Sequence, residues 1–152
     1  MKLGIDPGRY KIGVALLEND KLIFSAIVPK SEEGVLYRAI EDRNFTLLDK
    51  WKKENEENKN SPHQKLEYKK LIVLIGNGTS HSEIKEKIKT TQDTEIKTVN
   101  EYGTTLKGRN IYWEIHPPKG LWKLIPTSLR TPPRDIDDLA AYAIALASTE
   151  TK

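Results

Sequence analysis

The chain contains no cysteine, which excludes a disulfide framework and any zinc site built from thiolates. It has no apolar run near the roughly 20 residues needed to cross a bilayer. Its first residues enter a strand at once, without the pattern of a secretory leader. These absences together lead us to expect a cytoplasmic protein with no membrane partner. Charge of one sign is not in excess either. The 25 Lys and Arg residues against 22 Asp and Glu leave a net charge of +3, too small to argue nucleic-acid binding from bulk charge alone. His81 and His116 stand at no metal-ligand spacing. There is no internal repeat and no linker, and 152 residues are enough for one domain with a real core but too few for two of ordinary size. A single domain over 1–152 is expected.

What is present begins at Lys2-Leu3-Gly4-Ile5-Asp6-Pro7-Gly8. A short apolar run ends in one carboxylate, turns through Pro7-Gly8 and returns as a second apolar run, so Asp6 is held at the mouth of a buried strand pair. Strands are read at 2–6, 10–17 and 21–28, the last two joined by a polar turn at Glu18-Asn19-Asp20. A helix is read over 33–58, with Leu36, Ile40, Leu47, Leu48 and Trp51 near one face and a polar end running into a loop to about Leu66. The alternating acids and bases of 41–60 read as a solvated helix face. Lys70 to Gly76 contains five consecutive apolar residues, which suits a central strand covered on both faces. A short helix over 81–90, a strand over 95–100 and a helix over 102–115 follow. A Pro/Gly-rich loop covers 117–134, and a closing helix runs from Asp135 to Thr149. This order implies one mixed sheet flanked by helices, an α/β fold.

Acids stand where these elements deliver them to one end of such a sheet. Asp6 ends the first strand, Glu101 follows the last, and Asp135, Asp137 and Asp138 open the final helix. Positions i and i+3 share a helix face, so Asp135 and Asp138 are expected to point one way and Asp137, a solvated first-turn acid, another. Hard oxygen ligands from separate elements suit Mg²⁺ or Mn²⁺. Two such ions about 4 Å apart activate a water and stabilise the leaving oxygen of an in-line phosphoryl displacement. Plainer roles exist for the same residues. Asp135 is a good N-cap, Asp6 before Pro-Gly is a good turn residue, and Glu101 alone is a strand-end charge.

Three segments, in this order, resemble the RuvC/YqgF branch of the ribonuclease H-like superfamily, most closely the YqgF-type Holliday-junction resolvases. Gly4-Ile5-Asp6-Pro7-Gly8-Arg9 through Ile12-Gly13-Val14-Ala15 is similar to the family's first motif. Val99-Asn100-Glu101-Tyr102-Gly103-Thr104-Thr105 is similar to its Asp-Glu-Arg-x-Thr-Thr motif. Asp135-Ile136-Asp137-Asp138-Leu139-Ala140-Ala141 is similar to its Asp-x-x-Ala-Ala helix start. The resemblance implies a ribonuclease H-like fold, with a five-stranded mixed sheet whose first three strands are antiparallel. It also implies a divalent-metal nuclease using Mg²⁺ or Mn²⁺, in which Asp6, Glu101 and Asp138 match the metal-binding acidic triad and Asp135 matches a fourth catalytic acid. Asn100 and Tyr102 replace the Asp and Arg flanking the second acid, Gly103 precedes the Thr pair, and the segment Lys107–Arg134 is longer than in compact members. Substrates in the family divide between four-way DNA junctions and precursor ribosomal RNA, so branched DNA or structured RNA is the implied partner. A junction resolvase works as a symmetric homodimer, because two matched cuts need two sites.

Substrate contacts are expected from Lys107, Arg109, Lys123, Arg130 and Arg134, in a stretch where Tyr112, Trp113 and Trp122 are interleaved. Basic groups neutralise phosphates and aromatic faces stack on unpaired bases; equally, such aromatics form satellite core under a long loop. Arg9 and Lys11 flank the Asp6 turn, as phosphate contacts or as exposed hairpin charges. Gly76-Asn77-Gly78-Thr79 reads as a tight strand-to-helix turn without the P-loop lysine. The competing function is a nucleic-acid-binding module that uses the same groove without cutting. Actin-like ATPases and sugar kinases open similarly but need two such domains, which 152 residues do not supply.

Overall fold

The alternation that marks the first three strands sends their large aliphatics to one side and their small residues to the other, and the rest of the fold follows from that asymmetry. In the computed structural model, which describes residues 1–55, 70–88 and 92–147, β1 (Lys2–Pro7), β2 (Lys11–Glu18) and β3 (Lys21–Pro29) form an antiparallel meander. The β2–β3 connection places Asn19 and Asp20 at φ 49° and 63°. This is the two-residue, positive-φ turn whose twist matches a hairpin, and Asn and Asp tolerate it best among side-chain-bearing residues. β5 (Leu71–Gly76) lies parallel to β1, and β6 (Thr94–Val99) lies parallel to β5.

Among the described residues the sheet has six strands, one more than expected, and with β4 (Lys52–Asn55) at its edge the order is β4-β3-β2-β1-β5-β6. The addition is β4, paired antiparallel with the edge of β3, where the sequence reads as the polar end of a long helix. That helix stops early: α1 spans only Glu33–Glu41. Arg43 then enters the left-handed region at φ 54°. Asn44 caps a fresh 3₁₀ segment, Phe45–Trp51, by accepting from the Thr46 N–H at 3.2 Å. The break keeps Leu36, Ile40, Phe45 and Leu48 in one core while freeing the next residues to pair with β3. The end of the expected helix and the loop to Leu66 fall at 56–69, outside the described residues. The remaining elements, α2 (His81–Lys87), α3 (Thr104–Ile115) and α4 (Asp137–Ala147), match the expected helices with shifted ends. Positions 89–90 and 148–149 of those helices also lie outside the described residues. Two short 3₁₀ turns, Gly120–Leu124 and Thr127–Leu129, punctuate the long loop before α4.

One face of the sheet presents Leu3, Ile5, Ile12, Val14, Phe24, Val28, Val73 and Ile75 to α1, the 3₁₀ segment and α2. The other presents Gly4, Gly13, Ala15 and Ser25, with Leu17 and Leu74, to the alanine-rich α4. A Cβ at Gly4 would collide with the Ala141 carbonyl, and one at Gly13 with the Asp137 carbonyl. Bare backbone on β1 and β2 is therefore what lets α4 lie against the sheet. α3 stacks outside α4, where a Cβ at Gly108 would stand 2.9 Å from the Ala140 nitrogen. Gly108 marks the close crossing of α3 over α4. Among the described residues no helix is long and apolar enough to cross a membrane.

Candidate functional site

β1, β5 and β6 run parallel, so their carboxyl ends open on the same edge of the sheet, the edge where ligands gather in α/β folds. Asp6 sits there on β1, paired across the sheet with Gly13. Because Gly13 admits the first turn of α4 onto β2, Asp6 comes to lie beside Asp137. Glu101 arrives from beyond β6, on the far side of β5. Two strand spacings, roughly 10 Å, would separate it from β1, but the intervening turn is built from Gly76 and Gly78. The Glu101 carboxylate fills the space their side chains would take, with its oxygens 2.8 to 3.0 Å from where a Cβ would stand. The Asn77 side-chain oxygen accepts from the Glu101 N–H at 3.1 Å and fixes the turn against it. The glycine turn thus serves to lay Glu101 over the end of β5, toward Asp6.

The consequence is electrostatic. Burial raises the Asp6 carboxyl to a pKa of about 7, helped by the nearby charges of Asp137 and Glu101 and opposed by Lys11. Lys11 is the cation the acids already hold, 2.7 Å from Asp135 and 3.2 Å from Asp137. Burial disfavours its charge, but those two hydrogen bonds outweigh it and raise its pKa, and the bond to Lys11 lowers that of Asp135.

Asp138 has a different setting. It is fully buried, accepts from the Ser25 hydroxyl at 2.6 Å, and receives both terminal nitrogens of Arg134 at 2.8 and 3.3 Å. Arg134 also donates to Glu54 on β4 at 2.6 Å, and the same Glu54 oxygen lies 2.7 Å from His116 Nε2. The Ser25 hydroxyl in turn accepts from the Glu54 N–H at 3.1 Å. This network ties β3, β4, the end of α3 and the start of α4 together. The expected pairing of Asp135 with Asp138 on one helix face does not hold, because α4 starts at Asp137 and Asp135 precedes it. Asp135 and Asp137 share Lys11, while Asp138 turns into the sheet.

A cleft of about 780 Å³ opens over this edge, lined by Asp6, Asp135 and Asp137 and by Lys53, Thr105, Arg109 and Arg134, among others. Of the expected substrate-contacting cations, Arg109 lines the cleft and Lys11 is paired with its acids. Arg134 lines it too, with its nitrogens engaged. Arg130 is buried, donates to the Lys123 carbonyl at 3.1 Å and lies 5.8 Å from the Trp113 ring. Arg9 and Lys123 are exposed, and Lys107 borders a separate groove between α3 and α4. The aromatics divide: Tyr112 is buried and stacks edge-on with Trp113 at 5.0 Å, whereas Trp122 is half exposed. Sequence reasoning missed Lys53, Glu54 and Ser25. Ser25 carried a signal, as the one polar residue inside Phe24–Val28; Lys53 and Glu54, within a mixed-charge run, carried none.

The donor set at the cleft consists of hard carboxylate oxygens, whose chemistry suits Mg²⁺ or Mn²⁺. As the side chains stand, no three Asp, Glu or His residues among the described ones form a group that could hold a metal ion; the charges of Asp137 and Glu101 reach Asp6 as like-charge repulsion. No protein-family model matches the chain, and no curated protein matches it.

Proposed function

We propose that this chain is a divalent-metal-dependent endonuclease on a ribonuclease H-like fold, hydrolysing phosphodiester bonds in branched DNA or structured RNA. The observation that carries the reading is the setting of Asp6, buried at the carboxyl edge of the parallel strands and within reach of the charges of Asp137 and Glu101 from two other elements. The sheet has six strands where the resemblance implies five, but its antiparallel β1–β2–β3 meander followed by parallel β5 and β6 supports the reading. Asp6 and Glu101 would hold Mg²⁺ or Mn²⁺. The third ligand falls to Asp137 and not to Asp138, whose two oxygens are occupied by Ser25 and Arg134. When bound, the metal supplies an activated water and stabilises the leaving oxygen.

The protein's own residues prepare that chemistry. Lys11 holds Asp135 and Asp137 in place, the glycine turn positions Glu101, and Asp138 anchors Arg134 at the cleft wall. Labelled four-way DNA junction, RNA–DNA hybrid and structured RNA, incubated with Mg²⁺, Mn²⁺ or EDTA, test the proposal. Metal-dependent cutting of any of the three supports it, and the preferred substrate names the class. Binding without cutting under either metal would instead favour a non-catalytic binding module.

A further inference from the structure

Among the described residues, three cationic side chains line the cleft: Lys53 from β4, Arg109 from α3 and Arg134 from the loop before α4. They are not equivalent. Arg134 donates to Asp138 and Glu54 from both terminal nitrogens, so its charge is already cancelled by two carboxylates. Lys11, beside the cleft, is spent in the same way on Asp135 and Asp137. Arg109 and Lys53 form no ion pair among the described residues, and the Arg109 Nε is buried without a hydrogen-bond partner. Thr105 lies one helical turn before Arg109 and lines the cleft with it. Among the described residues, two cations outside any ion pair and a hydroxyl therefore line the same cleft as Asp6, Asp135 and Asp137, Lys53 near enough to Asp135 for its charge to help lower that pKa, around a space large enough for a nucleotide-sized ligand.

We propose that Arg109 and Lys53, with Thr105, form a phosphate subsite that grips a backbone phosphodiester of the substrate across the cleft from Asp6 and Asp137. The subsite rests on the reading of this cleft as a nucleic-acid site. Its two cations have distinct parts. The Arg109 fork suits two oxygens of one phosphate, and Lys53 adds a point charge at the rim. Since a phosphodiester is common to both polymers, the subsite gives affinity without choosing DNA over RNA.

The test is binding in EDTA, where nothing is cut. Labelled four-way DNA junction and structured RNA are titrated over a salt series with wild type, Arg109→Gln, Lys53→Gln and the double variant. Lys85→Gln, on α2 at the opposite face of the sheet, is the control. Each single variant is expected to weaken binding several-fold and to reduce the slope of log affinity against log salt by roughly 0.7–0.9, with about twice that for the double. Lys53 is exposed on an edge strand, so its variant reads the subsite free of any folding effect in Arg109→Gln. Unchanged slopes, or no binding of either polymer by wild type, would overturn the subsite. Reduced slopes in a protein that cuts nothing with metal would leave the subsite standing and remove the nuclease reading. Metal-dependent cutting with unchanged slopes would do the reverse.

Discussion

Asp137 and Asp138 are neighbours in sequence with opposite fates, and the difference lies in what each side chain meets. Asp137 faces the cleft and shares a lysine with Asp135; Asp138 is buried against Ser25 and Arg134. Removing the charge of Asp138 leaves a half-buried guanidinium short of a partner. Breaking such a pair from one side costs about 3 kcal/mol. Asp138→Asn is therefore expected to lower the thermal midpoint clearly, while Asp137→Asn changes it little. Calorimetric titration with Mn²⁺ should give the opposite order, with affinity lost in Asp137→Asn and largely kept in whatever Asp138→Asn remains folded. Equal loss of metal affinity in both would return the third ligand to Asp138. The sequence alone could not separate the two acids, because the choice depends on where α4 begins, and a shift of two residues rotates every carboxylate in its first turn.

At the scale of elements, α4 reaches the sheet only because β1 and β2 present glycine beneath it. Gly13→Ala would push a methyl into the Asp137 carbonyl and to 2.9 Å from the Asp138 nitrogen, both backbone atoms that cannot swing aside. Overpacking of this kind costs about 1–3 kcal/mol. The expected result is a lower urea midpoint together with weaker metal binding, since the displaced turn carries Asp137. Gly34→Ala, where a Cβ meets nothing within 4 Å, should do neither. On the opposite face, Glu33 joins α1 to α2 by accepting from Lys87 at 2.6 Å and from Tyr37 at 2.9 Å, with Lys30 also 2.6 Å away. Burial works against its charge, but these hydrogen bonds outweigh burial and lower its pKa from 4.5 to about 2. A depressed carboxyl contributes stability that is present above 4.5 and lost as pH falls toward 2. The stability gap between wild type and Glu33→Gln, measured by urea unfolding, should therefore be full at pH 6 and mostly lost by pH 2. A gap that does not change with pH would contradict this. The strands and three helices were legible as alternation and periodicity. β4 was not, because Lys52-Lys53-Glu54-Asn55 has no apolar face and is a strand only through pairing with β3.

Across the whole molecule, division of labour between the two faces explains what the sequence showed of the site. One face carries the bulky core that stabilises the sheet. The other trades bulk for closeness, so that α4 can bring an acid to the edge where β1 ends and β6 delivers Glu101. Asp6 and Glu101 were visible in the motifs, as was the order of elements apart from β4, whereas Asp137 read as a solvated first-turn acid. The cation arrangement was not, because Lys53, Arg109 and Arg134 come from three distant segments and differ only in the partners the fold gives them. The proposed role of this edge is to cut phosphodiester bonds through Asp6. It is tested most directly by the single-turnover cleavage rate of Asp6→Asn beside wild type, with Mn²⁺, on the best-cut member of the substrate panel. The expected result is loss of at least about a hundredfold in rate with binding in EDTA retained. Cutting by Asp6→Asn at the wild-type rate would remove the carboxylates from the chemistry and leave them as caps and turns.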